Sequence, residues 1–293
     1  MTNRRVAIIG GAGKMGRWLA SFLHSAGCDV ILTDTDEENL REAGRRLGLP
    51  FCLSSEIAVT GADYIILAVP ITAVEPVARF IGPYIKGWQS VIDITSIKTV
   101  PVKAMHKHIT NGLVLGGHPL FGPGAASLEN KNIVLTPTND EEAALAERVG
   151  KFLESKGGHV SLMTPDEHDE MMSLVLGLSH FIALVAADTL LEARDGRPME
   201  AAGSSTYKVL MTLIESVLSE DPDLYATIQM NLPKAKNFER LFQRKTAIWL
   251  RLVTNRRKKT FARRMTKLQE KLEKVAPDFQ KSYEKMYRIV EGL

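Results

Sequence analysis

The sequence predicts an α/β domain built on a parallel sheet, followed by an all-α domain. Three observations carry this reading. Short β-rich runs alternate with helical stretches over about the first 160 residues. A glycine cluster, Gly10-Gly11-Ala12-Gly13-Lys14-Met15-Gly16, lies between the first such run and the first helix. From Thr164 onward the patterns are helical, with no further sheet signal.

The elements follow in order. Residues 5–9 form a β-rich run that stops at glycine. The amphipathic stretch 18–23 follows the cluster and is expected to end near Ala26, with Gly27 as its C-terminal glycine. Residues 30–33 are a second strand ending at Asp34, and 36–46 a helix with acids in its first turn. Residues 64–70 read as a buried strand ending at Pro70, and 73–81 as a helix. Strands are expected at 90–95, 114–115 and 132–135. Such doubly wound sheets bind ligands beyond the C-terminal strand ends. Val69-Pro70, the segment 95–98 and the segment 116–124 are therefore expected to converge on the glycine turn.

Gly11-x-Gly13-x-x-Gly16 between strand and helix, with an acid 18 residues after its last glycine, is a dinucleotide-binding pattern and makes the first domain Rossmann-type. Glycines let the backbone approach a pyrophosphate, and the helix N-terminus offers its N–H groups. Lys14 and Met15 share that turn. Asp34 accepts hydrogen bonds from a ribose diol and repels a 2′-phosphate, and no Arg directly follows it. NAD is expected over NADP.

Residues 116–124 hold four glycines, two prolines and His118. The composition reads as a shaped loop, neither helix nor strand interior. Its one ionisable side chain is of the type that titrates near neutral pH. In the second half, Thr164 as N-cap, Pro165 at the first helical position and Glu167 form a capping box. His168 falls in the first turn or just past it. The stretch onward to about Leu191 is apolar almost all round, so a buried helix is expected, covered on one side by a second chain. His168 and His180 are twelve residues apart and do not share a face, so no metal pair is expected. Asp221-Pro222 opens another helix, and residues 269–293 read as an amphipathic closing helix. The domain boundary is placed near residue 160, giving 1–160 and 161–293.

Composition sets the bounds. The 293 residues are 45% hydrophobic and 24% charged, enough for one large or two medium domains. No apolar run is expected to approach a membrane span, and the N-terminus lacks a signal-peptide pattern. Cys28 and Cys52 have no metal-type spacing and suit a reducing cytoplasm. The net charge of +3 is uneven: residues 234–274 carry fifteen Lys/Arg against three acids. The basic run 255–259 reads as a solvated helix face or, less in keeping with its few aromatics, as a nucleic-acid contact.

These motifs together resemble the prephenate dehydrogenase family. The matching pieces are residues 11–16, Asp93-Ile94-Thr95-Ser96-Ile97-Lys98, Gly117-His118-Pro119-Leu120-Phe121-Gly122-Pro123, Glu167-His168-Asp169, Leu178-Ser179-His180-Phe181 and Asp221-Pro222-Asp223-Leu224-Tyr225. The resemblance implies an NAD-binding domain and a helical domain that forms an intertwined homodimer. It implies oxidative decarboxylation of prephenate, or of arogenate, in tyrosine biosynthesis. It gives His118 the role of acceptor for the substrate hydroxyl, with Ser96 contacting the histidine. His168 is implied near the substrate pocket, and His180 is either a second contact or a core histidine. The family commonly has an Arg where this chain has Glu215-Ser216. Lys208 is the expected replacement, with Arg240, Arg244, Arg251 and Lys98 as further options. Neither a fused chorismate mutase nor a tyrosine-binding regulatory domain is expected.

Overall fold

A computed structural model describes residues 3–193, 199 and 202–292. The chain forms two compact units, Met1–Met172 and Ser173–Leu293. The first therefore takes in the short helix that follows Thr164.

In the first unit the order is β1 (Arg5–Ile9), α1 (Lys14–Ser25), β2 (Asp29–Thr33), α2 (Glu37–Leu47), α3 (Ser55–Thr60), β3 (Tyr64–Leu67), α4 (Val74–Ile81), β4 (Ser90–Asp93), α5 (Thr99–His108), β5 (Leu113–Pro119), β6 (Asn132–Thr136), α6 (Asp140–Glu154), β7 (His159–Leu162) and α7 (Pro165–Met172). One seven-stranded sheet runs β2-β1-β3-β4-β5-β6-β7. Its strands read as near-continuous apolar runs because both faces are covered. Ala78, Ile81, Val102 and Met105 of α4 and α5 pack on one face. Leu19, Leu23, Leu40 and Phe152 of α1, α2 and α6 pack on the other. The strand order reverses between β1 and β3, which opens a crevice at their C-terminal ends.

Two expectations change here. The sheet is not wholly parallel, since β5 and β6 pair antiparallel. His118 is also not in a loop: it lies on β5, opposite Val134 of β6. The neighbouring glycines serve close approach rather than a turn. A Cβ at Gly116 would collide with Thr136 Oγ1, and one at Gly117 would lie 3.2 Å from Asp93 O. Neither glycine has positive φ.

The second unit opens with a π-helical segment, Ser173–Leu178. It continues as α8 (Ser179–Ala193), α9 (Ser205–Leu218), α10 (Pro222–Asn231), α11 (Ala235–Thr254), α12 (Lys258–Val275) and α13 (Ser282–Glu291). The single closing helix expected over 269–293 is broken. Pro277 disfavours helical geometry at the residue before it, and Ala276 is extended, with φ −144° and ψ 75°. The basic run 255–259 is exposed and turns the chain from α11 into α12.

The expectation of no apolar run near membrane length also fails. Pro165–Ala193 is a helix long and apolar enough to cross a bilayer by length and composition. Its most apolar 18-residue stretch has a mean hydropathy of 2.0. Nor is it buried within one chain: Met171, Leu174, Val175, Val185 and Leu191 are exposed.

Candidate active site

The first unit holds a cavity of about 920 Å³ at the C-terminal ends of β1, β2 and β3. Gly10, Ala12, Gly13, Asp34, Val69 and Pro70 are among its walls. The turn that shapes it is tight. Gly10 has φ +82°, and a Cβ there would collide with Ala68 O. A Cβ at Gly16 would collide with Gly10 O, so α1 starts pressed against the β1 end. No side chain caps α1, and no acid lies in its first turn. Those features leave its amide end suited to a phosphate. Across the cavity, Asp34 accepts from the N–H of Ala12 at 2.9 Å and of Asp36 at 3.1 Å. The carboxylate is thereby aimed along the glycine turn, with acceptor capacity left for a diol. Gly11 and Gly13 are in this turn, and Lys14, Met15 and Gly16 open α1.

His118 is buried at the end of β5. Its Nδ1 lies 2.9 Å from Nε2 of His168, and the two rings meet edge to face. Nδ1 of His168 lies 2.7 Å from Oδ1 of Asp169. Asp169 also accepts from the N–H of Lys98 at 2.7 Å and of Thr99 at 2.9 Å, so it sits on the N-terminus of α5. Burial pushes the Asp169 carboxyl up, but hydrogen bonds from His168, Thr99 and Lys98 outweigh that and hold it below the usual range. Burial, then the nearby His168 and Lys98, push His118 well below the ordinary histidine value. It is a neutral base at neutral pH. Its Nε2 has no protein partner among the described residues and is not sealed from solvent.

The capping box forms as expected: Thr164 Oγ1 accepts from Glu167 N–H at 3.2 Å, and Glu167 Oε2 accepts from Thr164 N–H at 2.9 Å. It starts α7 at Pro165 and sets His168 and Asp169 facing inward, both buried. Asp169 was not singled out from the sequence, although it completes the Glu167-His168-Asp169 run. Trp18 was also missed. Its Nε1–H donates to Ala125 O at 2.6 Å and its ring meets Phe121 edge-on, pinning the loop after His118 onto α1.

Three expected roles change. Ser96 makes no hydrogen bond among the described residues, and the contact to His118 comes from His168 instead. His168 has both ring nitrogens engaged and no exposed surface, so it is not a ligand contact in this structure. Lys98 is fully buried. Its Nζ pairs with Asp93 and donates to Gly117 O at 2.7 Å, so it is not available to a substrate carboxylate. Two further candidates belong to the second unit. Lys208 on α9 is exposed and makes no ion pair among the described residues. His180 on α8 packs edge-on against Tyr225 at 4.5 Å, with Nδ1 sealed and without a partner among the described residues. Burial pushes its pKa down to about 4.

Two family descriptions match this chain. The prephenate dehydrogenase nucleotide-binding domain covers residues 19–162, and the prephenate dehydrogenase dimerization domain covers residues 164–267. The chain belongs to the prephenate dehydrogenase family. Within that family, a probable arogenate/prephenate dehydrogenase from Methanocaldococcus jannaschii is 33% identical over 90% of this chain and 60% of that protein. A cyclohexadienyl dehydrogenase from Zymomonas mobilis is 29% identical over 61% of this chain and 65% of that protein. The chain thus spans about 60% of the length of the curated relatives it matches. Two crystal structures share the fold. Prephenate dehydrogenase from A. aeolicus, in complex with hydroxyphenyl propionate and NAD+, aligns with a TM-score of 0.76 at 20% identity over 94% of this chain and 99% of that chain. Synechocystis arogenate dehydrogenase aligns with a TM-score of 0.69 at 19% identity over 93% and 100%. The nucleotide-binding match takes in Asp34 and His118; the dimerization match takes in His168, His180 and Lys208.

Proposed function

We propose that the chain is an NAD-dependent dehydrogenase that oxidatively decarboxylates prephenate to 4-hydroxyphenylpyruvate. The observation that carries this is His118, a neutral imidazole held by its Nδ1, with Nε2 unclaimed by the protein. It stands at the C-terminal end of a strand in the same sheet whose β1–β3 crevice suits a dinucleotide.

The cavity fits NAD on its own terms. The uncapped start of α1 and the glycine turn would hold the pyrophosphate, and Asp34 the adenosine ribose, while Val69 and Pro70 line the same wall. Bound NAD supplies the acceptor for the hydride on the ring carbon that bears the hydroxyl. His118 Nε2 takes the hydroxyl proton as that carbon becomes a carbonyl. Loss of CO₂ then sends its bonding electron pair into the ring, which aromatises, and the same oxygen needs a proton to become a phenol. His118 returns the one it took, so the site needs no proton exit and no covalent nucleophile. The substrate's carboxylates require cations. We assign one to Lys208, exposed and unpaired among the described residues, with Arg240, Arg244 and Arg251 as the remaining exposed candidates. The apolar exposed face of α8 supports a homodimer, and a chain with only two cysteines suits a reducing cytoplasm.

The test is NADH absorbance with prephenate and arogenate in parallel. NADH from prephenate is expected; NADH from arogenate alone moves the assignment to that amino analogue, and none from either overturns it. Cofactor choice is checked separately. Asp34→Asn keeps an acceptor for Ala12 N–H but removes the charge. NAD binding is expected to weaken roughly 10- to 100-fold, the ~1.5–3 kcal/mol of hydrogen bonds to a charged group. NADP binding should not weaken. Fluorescence titration with NADH and NADPH reads both.

A further inference from the structure

We propose that Asp169 and His168 are positioning residues that lock His118 in the tautomer with a bare Nε2. This rests on the reading of His118 as the base, and it assigns to α7 the task first expected of Ser96.

The argument starts from two donors whose role cannot be reversed. The backbone N–H groups of Lys98 and Thr99 both point at the Asp169 carboxylate, one on each oxygen. An N–H only donates, so both oxygens accept. The N-terminus of α5 favours negative charge at that spot, which keeps the carboxylate ionised. Nδ1 of His168, 2.7 Å from Oδ1, must therefore carry a hydrogen. With a single ring hydrogen, placed on Nδ1, His168 offers only a lone pair at Nε2. His118 Nδ1, 2.9 Å away, must be the donor. A neutral imidazole with its hydrogen on Nδ1 has none on Nε2. Polarity thus runs from a helix end through one carboxylate and two rings. It ends as a lone pair on the one nitrogen of the set without a protein partner among the described residues. When His118 takes the substrate proton, its Nδ1–H already points at an acceptor backed by an anion.

The variants separate polarity from packing. Asn at 169 can turn its amide N–H₂ toward His168 Nδ1, at the cost of setting it against the Lys98 N–H. His168 would then carry its hydrogen on Nε2, and His118 would be forced to the wrong tautomer. Asp169→Asn is expected to lower kcat about 10²- to 10⁴-fold, with the KM for NAD changed less than about twofold. His168→Gln can donate to Asp169 through Nε2 and accept from His118 through Oε1. It keeps the polarity and is expected to stay within about tenfold of wild type, while His168→Phe falls with Asp169→Asn. The direct readout is ¹⁵N NMR of histidine-labelled protein. It should show His118 protonated on Nδ1 in the wild type and in His168→Gln, and on Nε2 in Asp169→Asn. A wild-type spectrum with the hydrogen on Nε2, or Gln and Phe at 168 equally active, overturns the inference. If Asp169→Asn does not fold, the Gln/Phe contrast and the wild-type spectrum still decide. If the wild type turns over neither substrate, the functional reading has failed, while the tautomer is still read from the spectrum.

Discussion

His118→Asn is expected to fold, to bind NAD with wild-type affinity and to turn over prephenate about 10²- to 10⁴-fold more slowly, the usual worth of a positioned general base. The asparagine amide can still donate to His168 Nε2, so the buried network keeps a partner and the fold keeps its packing. What is lost is a basic lone pair. The cavity at β1–β3 does not include His118 among its walls, so cofactor affinity has no reason to change. The loss therefore falls on kcat. The pH profile adds a second check. Burial, then His168 and Lys98, hold His118 well below the ordinary histidine value of 6.5. The base form persists below that pH, so the acid limb of kcat/KM should fall on the acid side of 6.5. Stability carries the same sign. Because the folded state resists a proton that the unfolded chain accepts, stability present above 6.5 is lost as pH falls toward the folded value. Urea midpoints at neutral and acid pH should converge less in wild type than in His118→Asn. Normal turnover by the variant ends the proposed role.

Much of this was legible because the signals were local. The glycine turn, the acid after β2 and the capping box at Thr164 each follow from neighbouring residues, and each formed where the chain indicated. The misses were questions of pairing across distance. Residues 116–124 looked like a loop because glycine and proline usually mean turns. Instead Thr136, 20 residues after Gly116, leaves no room there for a Cβ, and Asp93, 24 residues before Gly117, presses on that one. Ser96 is the partner the sequence suggests for His118, and Asp169 goes unnoticed, because nothing in the sequence says that α7 packs on the start of α5. The apolar helix Pro165–Ala193 leaves apolar side chains exposed, and no single-chain pattern says what covers them.

Lys98→Met is expected to destabilise the first unit by ~3–5 kcal/mol, the cost of leaving a buried charge without its partner. Lysine usually means surface, and here that default fails. Lys98 and Asp93 are both fully buried and paired with each other. Burial pushes the lysine's pKa down, and Asp93 works against that shift. Methionine fills nearly the same volume, so the cost is electrostatic rather than a cavity. Among the described residues Asp93 would keep only the N–H of Thr95, at 2.8 Å, against its charge. Adding Asp93→Asn removes the stranded charge and keeps an acceptor for Thr95. The double variant is expected to recover more than half of the lost stability. Turnover should not recover with it. Lys98 also holds Gly117 O at 2.7 Å, and Gly117 directly precedes His118, so the strand end that carries the base stays unheld in both variants. Thermal melts and kcat, measured on wild type, single and double variants, separate the two effects. A single variant that melts within about 2 °C of wild type, well short of the shift a loss of several kcal/mol brings, would mean the pair is not the buried anchor described. Loss of prephenate affinity at unchanged stability would instead return Lys98 to the substrate.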